Sequence, residues 1–173
     1  MNTTPFILYF TGLSNSGKTS LSKLLFNLLK KTHKKKIINI DGDKFRKKIK
    51  NFDYDRKSRI FVGSQKIKYA KKLRKKGFNV IVSGIGANKN WRKKNKKIIN
   101  FFEIYLNCSF QETLKRNKLE TKKSFFKKGK NIVGLNYQYQ KGLSKDLTIN
   151  TGKLNKKESL KKITRFLKRK KII

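Results

Sequence analysis

Gly12-Leu13-Ser14-Asn15-Ser16-Gly17-Lys18-Thr19 fits the spacing G-x-x-x-x-G-K-[ST] at every fixed position. Each fixed type has a task in holding phosphate. The glycines let the backbone curl so that successive N–H groups point inward at phosphate oxygens. The lysine reaches the outer phosphates, and the hydroxyl that follows suits Mg²⁺. A lysine-rich chain can make such a pattern by chance. Here an apolar run, "PFILYFTG" (5–12), precedes it and an amphipathic helical pattern, 18–31, follows it, as the geometry demands. The helix dipole then adds its positive end to the same site. The expectation is ATP held along Gly12–Ser20, with Lys18 catalytic and Thr19 a metal ligand.

Only 9 of the residues are acidic, and Asp41, Asp43, Asp53 and Asp55 are four of them. Asp41 and Asp43 end the second apolar run in "IDGDKFR". In an open parallel sheet the C-terminal strand edge is where ligands bind. A carboxylate there can take a proton from an attacking hydroxyl or hold Mg²⁺ through water. Arg46, three residues on, can grip a second anion. A strand-to-helix turn capped by aspartate is the structural alternative.

These residues need elements to position them, and apolar runs alternate with helical patterns along the chain. Strands are expected near 5–12, 35–43, 78–84, 101–108 and 146–151, and helices over 18–31, 58–76, 88–99, 109–117 and 156–170. In the 58–76 helix, Ile60, Phe61, Ile67, Ala70 and Leu73 are expected on the core side. The alternation predicts an α/β fold: a three-layer, mainly parallel five-stranded sheet with helices on both faces. One domain is expected over 1–173. Residues 118–145 carry a short helical piece and a long Gly/Asn/Lys-rich stretch, read as a lid or binding loop.

Forty-eight Lys and Arg give a net charge of +39. Abundant Lys, Asn, Ile and Phe with a single Pro also fit an AT-rich genome. The lysines are spread over the chain rather than gathered in arms or stripes. Genome composition and polyanion binding both remain open, with nonspecific attraction for phosphate-bearing ligands expected in either case. The single cysteine, Cys108, excludes an intrachain disulfide and suits a buried strand. The single histidine, His33, falls at an expected helix end and suits a solvated role. With no 18-residue apolar run and no signal peptide pattern, a cytoplasmic protein without a membrane partner is expected.

Together these stretches resemble the adenylylsulfate (APS) kinase family of P-loop NTPases. The loop "GLSNSGKTS" is followed by "IDGDKFR", by "NFDYDR" (51–56), by "NVIVS" (79–83), by Lys115-Arg116 and by "KNIVGLN" (130–136), over about residues 5–151. The resemblance implies ATP-dependent phosphorylation of the ribose 3′-hydroxyl of adenylylsulfate in sulfate assimilation, with Mg²⁺. It implies that Asp41 and Asp43 flank the hydroxyl and the metal, Asp41 as a ligand. It places Arg46 and Arg56 at the substrate phosphate and sulfate, Phe52 on the base, and Lys118 near the substrate. Ile85, Arg59 and Ile132 stand at three substrate positions where this sequence departs from the family pattern. Ile85-Gly86-Ala87 replaces "I-S-P", which removes the serine and argues for direct transfer. Arg59 replaces an asparagine. Ile132 replaces the lid phenylalanine that faces Phe52 across the base. The departures resemble a branch of the family that includes cytidine diphosphoramidate kinase, making the same 3′-type transfer on a smaller pyrimidine; this is the alternative acceptor. A homodimer is the assembly the resemblance implies.

Overall fold

The computed structural model describes residues 4–33, 36–86, 88–120, 131–140 and 146–173, with side chains undescribed at 33 and 117–120. The order is β1 (Ile7–Thr11), α1 (Lys18–His33), β2 (Ile37–Ile40), α2 (Gly42–Lys48), α3 (Arg56–Lys75), β3 (Asn79–Ser83), α4 (Lys89–Asn95), β4 (Phe101–Asn107), α5 (Phe110–Glu120), β5 (Leu147–Asn150) and α6 (Lys156–Arg169). The strands form one sheet in the order β2-β3-β1-β4-β5. Every neighbouring pair is parallel, with Tyr9 opposite Val82 on one side and Glu103 on the other.

β1 reads as a continuous apolar run because both of its faces are covered. Alternate side chains divide between the two layers. Phe6, Leu8 and Phe10 pack with Leu21, Leu25 and Leu29 of α1 and Ile163, Phe166 and Leu167 of α6. Ile7 and Tyr9 pack on the opposite face with Val62, Ile67, Ala70 and Leu73 of α3. Each large apolar side chain fully buried this way contributes about 1.5–3 kcal/mol. Two such layers fix the sheet whatever the charge outside it.

Local features differ from expectation. Phe61 is 51% exposed and Ile60 lines the cavity described below, while Val62 takes their place in the core. The reason is that α3 has two occupied faces, so its apolar stripe is narrower than a surface helix would show. α2 is an added seven-residue element, too short to leave a periodic trace, and Asp41 supplies its N-cap.

Parallel strands bring all their C-terminal ends to one edge. Residues 131–140, the described part of the expected lid, dock there. The Ile132 carbonyl accepts from Asn136 N at 2.8 Å and Tyr137 N at 3.1 Å, closing a tight turn. Gly134 has φ +100°, and a Cβ on it would meet Phe110 at 2.9 Å, so this turn requires glycine. Val133 and Tyr139 are buried against Tyr105, with the Tyr139 ring stacked on it at 5.5 Å. This part of the segment is a built wall. The rest of the lid expectation, and Ala87, lie outside the described residues.

Candidate active site

The Gly12–Thr19 loop leaves β1 and enters α1. Gly12 has φ +145°, and a Cβ there would lie 2.6 Å from the Leu106 carbonyl oxygen. Gly17 has φ +94°, and Asn15 also adopts a positive φ, 57°. The loop is braced from below by the Thr151 hydroxyl, which donates to the Ser16 carbonyl at 3.0 Å. Lys18 folds back so that its ammonium donates to the Leu13 carbonyl. Burial lowers its pKa to about 8, while Asp43 and Asp41 oppose that shift and Lys66 adds to it.

Asp41 divides its two carboxylate oxygens. Oδ1 accepts from the amides of Asp43 at 3.0 Å and Lys44 at 3.1 Å, starting α2. Oδ2 accepts from the Thr19 hydroxyl at 2.9 Å. The capped turn and the functional carboxylate are therefore the same residue. Asp43 sits in the first turn of α2. Among the described residues its carboxylate accepts no hydrogen bond and forms no ion pair.

Both aspartates open onto a cavity of about 950 Å³. Ser14–Ser20, Thr151 and the start of α6 line it. The wall outside the loop, the far wall, carries Arg46 from α2 and Arg56, Arg59 and Lys66 from α3, and Arg116 of α5 and Lys156 of α6 line the cavity too. Arg46 is 8% exposed and donates to Asn51 Oδ1 at 2.8 Å and the Asp53 carbonyl at 2.6 Å. Its guanidinium lies 4.5 Å from the Tyr54 ring centroid, and that of Arg59 lies 5.4 Å from it. Arg59 also joins the far wall to the docked segment, donating to the Asn131 carbonyl at 2.8 Å. Burial, then Arg46, lowers the Arg59 pKa.

A buried pair holds the cavity rim. Arg92 of α4 and Glu103 of β4, each 2% exposed, approach to 3.2 Å. Arg92 also donates to the carbonyls of Gly86 and Gln140, tying the loop after β3 to the docked segment. Thr11 makes a second tie, donating to the Ile85 carbonyl at 2.6 Å and meeting the Tyr139 hydroxyl at 2.8 Å.

The structure thus brings Ser14, Asn15, Ser16, Gly17, Lys18, Thr19, Ser20, Asp41, Asp43, Arg46, Arg56, Arg59 and Ile85 to one cavity. Gly12 and Leu13 lie off its lining, where they shape the loop. Phe52 and Ile132 are not brought together across it. Phe52 is 62% exposed, Ile132 is 3% exposed, and neither lines the cavity. Tyr54, two residues beyond Phe52, lines it instead. The Lys118 side chain lies outside the described residues. Sequence reading missed Tyr54 and Lys66. The signal for Lys66 is its spacing: Arg56, Arg59, Gly63 and Lys66 recur on one face of α3 at helical intervals.

A five-stranded parallel sheet with this loop, a carboxylate pair at the strand edge and a basic far wall defines a P-loop kinase. The family model for adenylylsulphate kinase matches residues 4–150, and the chain belongs to that family. A cytidine diphosphoramidate kinase of Campylobacter jejuni is 35% identical over 161 residues, covering 91% of this chain and 93% of the relative. A probable adenylyl-sulfate kinase of Archaeoglobus fulgidus is 27% identical over 155 residues, covering 86% and 97%. The Mycobacterium tuberculosis APS kinase, solved in complex with AMPPNP and APS, superposes with a TM-score of 0.84 at 22% identity, covering 95% of this chain and 98% of that one. The chain is an enzyme, a nucleotide-binding phosphotransferase that uses ATP. Among the described residues, no helix is long and apolar enough to cross a membrane.

Proposed function

We propose that this kinase transfers the γ-phosphoryl group of ATP to the ribose 3′-hydroxyl of a nucleotide whose 5′-phosphate carries a second group. The observation that carries the reading is one cavity lined together by the phosphate loop, by Asp41 and Asp43, and by the cations Arg46, Arg56, Arg59 and Lys66. ATP lies along the loop with Lys18 at its outer phosphates. Thr19 and Asp41 suit Mg²⁺, because a hydroxyl and a carboxylate oxygen already converge at 2.9 Å. Mg²⁺ needs only one or two such ligands when phosphates and water supply the others. Bound there, it would neutralise phosphate charge. Asp41 has both oxygens committed, so Asp43 is the carboxylate free to take the proton. The acceptor oxygen bonds to the γ-phosphorus, the bond to the bridging oxygen of ADP breaks, and the hydroxyl proton passes to Asp43. Most of the rate comes from positioning and charge neutralisation.

For the acceptor, the 35% identity to the cytidine diphosphoramidate kinase favours a pyrimidine nucleotide. Adenylylsulfate is the second reading, favoured by the family model over 4–150. Sulfate assimilation and a cytoplasmic setting go with that second reading. Incubation with Mg-ATP and each acceptor in turn, with ADP release coupled to phosphorus NMR of the product, tests this. A 3′-phosphorylated product from one acceptor with a kcat/KM at least about tenfold above the other supports it. ADP release that no nucleotide stimulates overturns it.

A further inference from the structure

Lys66 is a buried cation with no carboxylate in ion-pair contact among the described residues. It projects from α3, is 5% exposed, and lines the cavity beside Gly42 and Gly84. Its ammonium donates one hydrogen bond, to the Ser83 carbonyl at 2.7 Å. An ammonium has three N–H groups, and burying a charge with one neutral acceptor is costly. Both neighbouring positions lack side chains, and a Cβ at Gly84 would sit 2.6 Å from the Lys66 Nζ. The glycine leaves the space that the ammonium occupies at the end of β3. The groups around it are Arg46 from α2, the Asp41–Asp43 pair, Lys18 of the loop, and the Tyr9 hydroxyl from β1, which also faces Gly84.

Lys18 offers an internal comparison. It is half-buried in the same cavity and parked on one backbone carbonyl, with Asp41 and Asp43 acting on it electrostatically. Its loop motif assigns it to phosphate. One lysine belongs to the nucleotide loop at the start of α1 and the other to α3.

We propose that Lys66 is an acceptor-binding residue whose ammonium takes an anionic oxygen of the group that caps the acceptor's 5′-phosphate. This rests on the transfer reading above and adds a residue that selects for capped nucleotides. A nucleoside 5′-monophosphate, lacking the cap, leaves the ammonium unpaired. Tying α3 to Ser83 is the bland alternative, and the two roles move different quantities.

The test is Lys66→Met, which keeps an unbranched stem and removes the charge. Steady-state kinetics would use the better capped acceptor and its parent 5′-monophosphate, with ATP varied separately. The expected result is a KM for the capped acceptor raised roughly 10–100-fold, as loss of a charge-assisted hydrogen bond gives. KM for ATP stays within about twofold, since the Lys66 ammonium is held at Ser83 and belongs to no part of the phosphate loop. The wild-type preference for capped over uncapped nucleotide collapses, and the melting temperature holds or rises because a buried charge is gone. Lys66→Gln serves with the same readouts should the methionine variant not fold. A variant that keeps its capped-to-uncapped preference overturns the inference, as does one that loses stability and raises both KM values together. A wild type that phosphorylates none of the nucleotides overturns the transfer reading and this inference with it.

Discussion

Lys18 and Lys66 line one cavity with Asp41 and Asp43, yet they come from regions built in different ways. The Lys18 wall is eight consecutive residues, Gly12 to Thr19, whose backbone geometry is its function. The Lys66 wall is assembled from α2, α3, the end of β3 and the docked segment 131–140. A contiguous loop can bind only what its curled amides fit, which is phosphate. An assembled wall changes its ligand when one helix face changes. Within one site the donor side is therefore generic and the acceptor side carries the individuality.

The largest effect should fall on the loop. Lys18→Ala removes charge from the phosphates being cleaved, and kcat should fall on the order of 10³-fold, with circular dichroism unchanged. Activity within a few-fold of wild type would remove the phosphate-loop assignment and the comparison with it. Next comes the centre. Asp43→Asn should lower kcat about 10²-fold through loss of the base, with little change in KM for ATP. Asp41→Asn keeps the α2 cap, since asparagine caps helices as well as aspartate. Its expected signature is instead a raised Mg²⁺ requirement, read by titrating the metal at fixed ATP. Equal metal titrations in both variants would merge the two roles.

A pH profile sharpens the comparison at about tenfold per pH unit. Burial, then Arg46, lowers Lys66 from 10.5 to about 8, against the opposing Asp41 and Asp43. The Tyr9 phenol is raised by burial and stays neutral. At saturating ATP the phosphates keep Lys18 protonated. The kcat/KM for the acceptor should then fall as pH rises through about 8, and flatten in Lys66→Met. Stability runs the other way. Between about pH 8 and 10.5 the unfolded chain binds more protons at these lysines, so that contribution to folding stability rises with pH. Below pH 8 it is constant, with the cost of the buried charge fully present. A profile unchanged by Lys66→Met would assign the ionisation elsewhere.

The same contrast explains what was legible in the sequence. The strands and the long helices declare themselves through their apolar periods, because β1 must feed both layers and α1 and α6 share one. The loop declares itself because its residues are adjacent. Asp41 and Asp43 stood out because acids are rare in this chain and these two end a strand. Of the far wall, Arg46 was legible from its place beside those acids and Arg56, Arg59 and Ile85 only through the family resemblance, while Tyr54 and Lys66 were not, because the wall's members are scattered between residues 42 and 140. α3 shows this well: a helix read for one apolar stripe carries a second, functional face, which is why Phe61 was misplaced and Lys66 overlooked among 48 basic residues. Arg92 illustrates the same limit, since nothing near "NKNWRKKN" distinguishes it from the surface cations beside it until Glu103 is found opposite.

The smallest expected effect separates two aromatics only two residues apart. "NFDYDR" offers Phe52 and Tyr54 to the acceptor, and family resemblance selects Phe52. In the structure, Asp55 caps α3 and the Arg46 guanidinium braces residues 51–53. That leaves Phe52 outward at 62% exposure and places Tyr54 on the cavity wall. The Tyr54 ring also supports the guanidiniums of Arg46 and Arg59, and its carbonyl accepts from Arg59 Nε at 2.6 Å. Tyr54→Ala should raise the acceptor KM about tenfold, the scale of one lost stacking or cation–π surface. kcat should change little, because the ring is remote from the transferred phosphoryl group. Tyr54→Phe should stay near wild type, and Phe52→Ala within about twofold. Ile132→Phe, which would rebuild an aromatic clamp had Ile132 lined the cavity, should instead overpack a closed turn and cost about 1–3 kcal/mol of stability. A tenfold KM increase in Phe52→Ala with none in Tyr54→Ala would reverse the assignment. Residues 51–55 would then have to swing inward on acceptor binding, and the acceptor wall would be completed by its ligand rather than waiting for it.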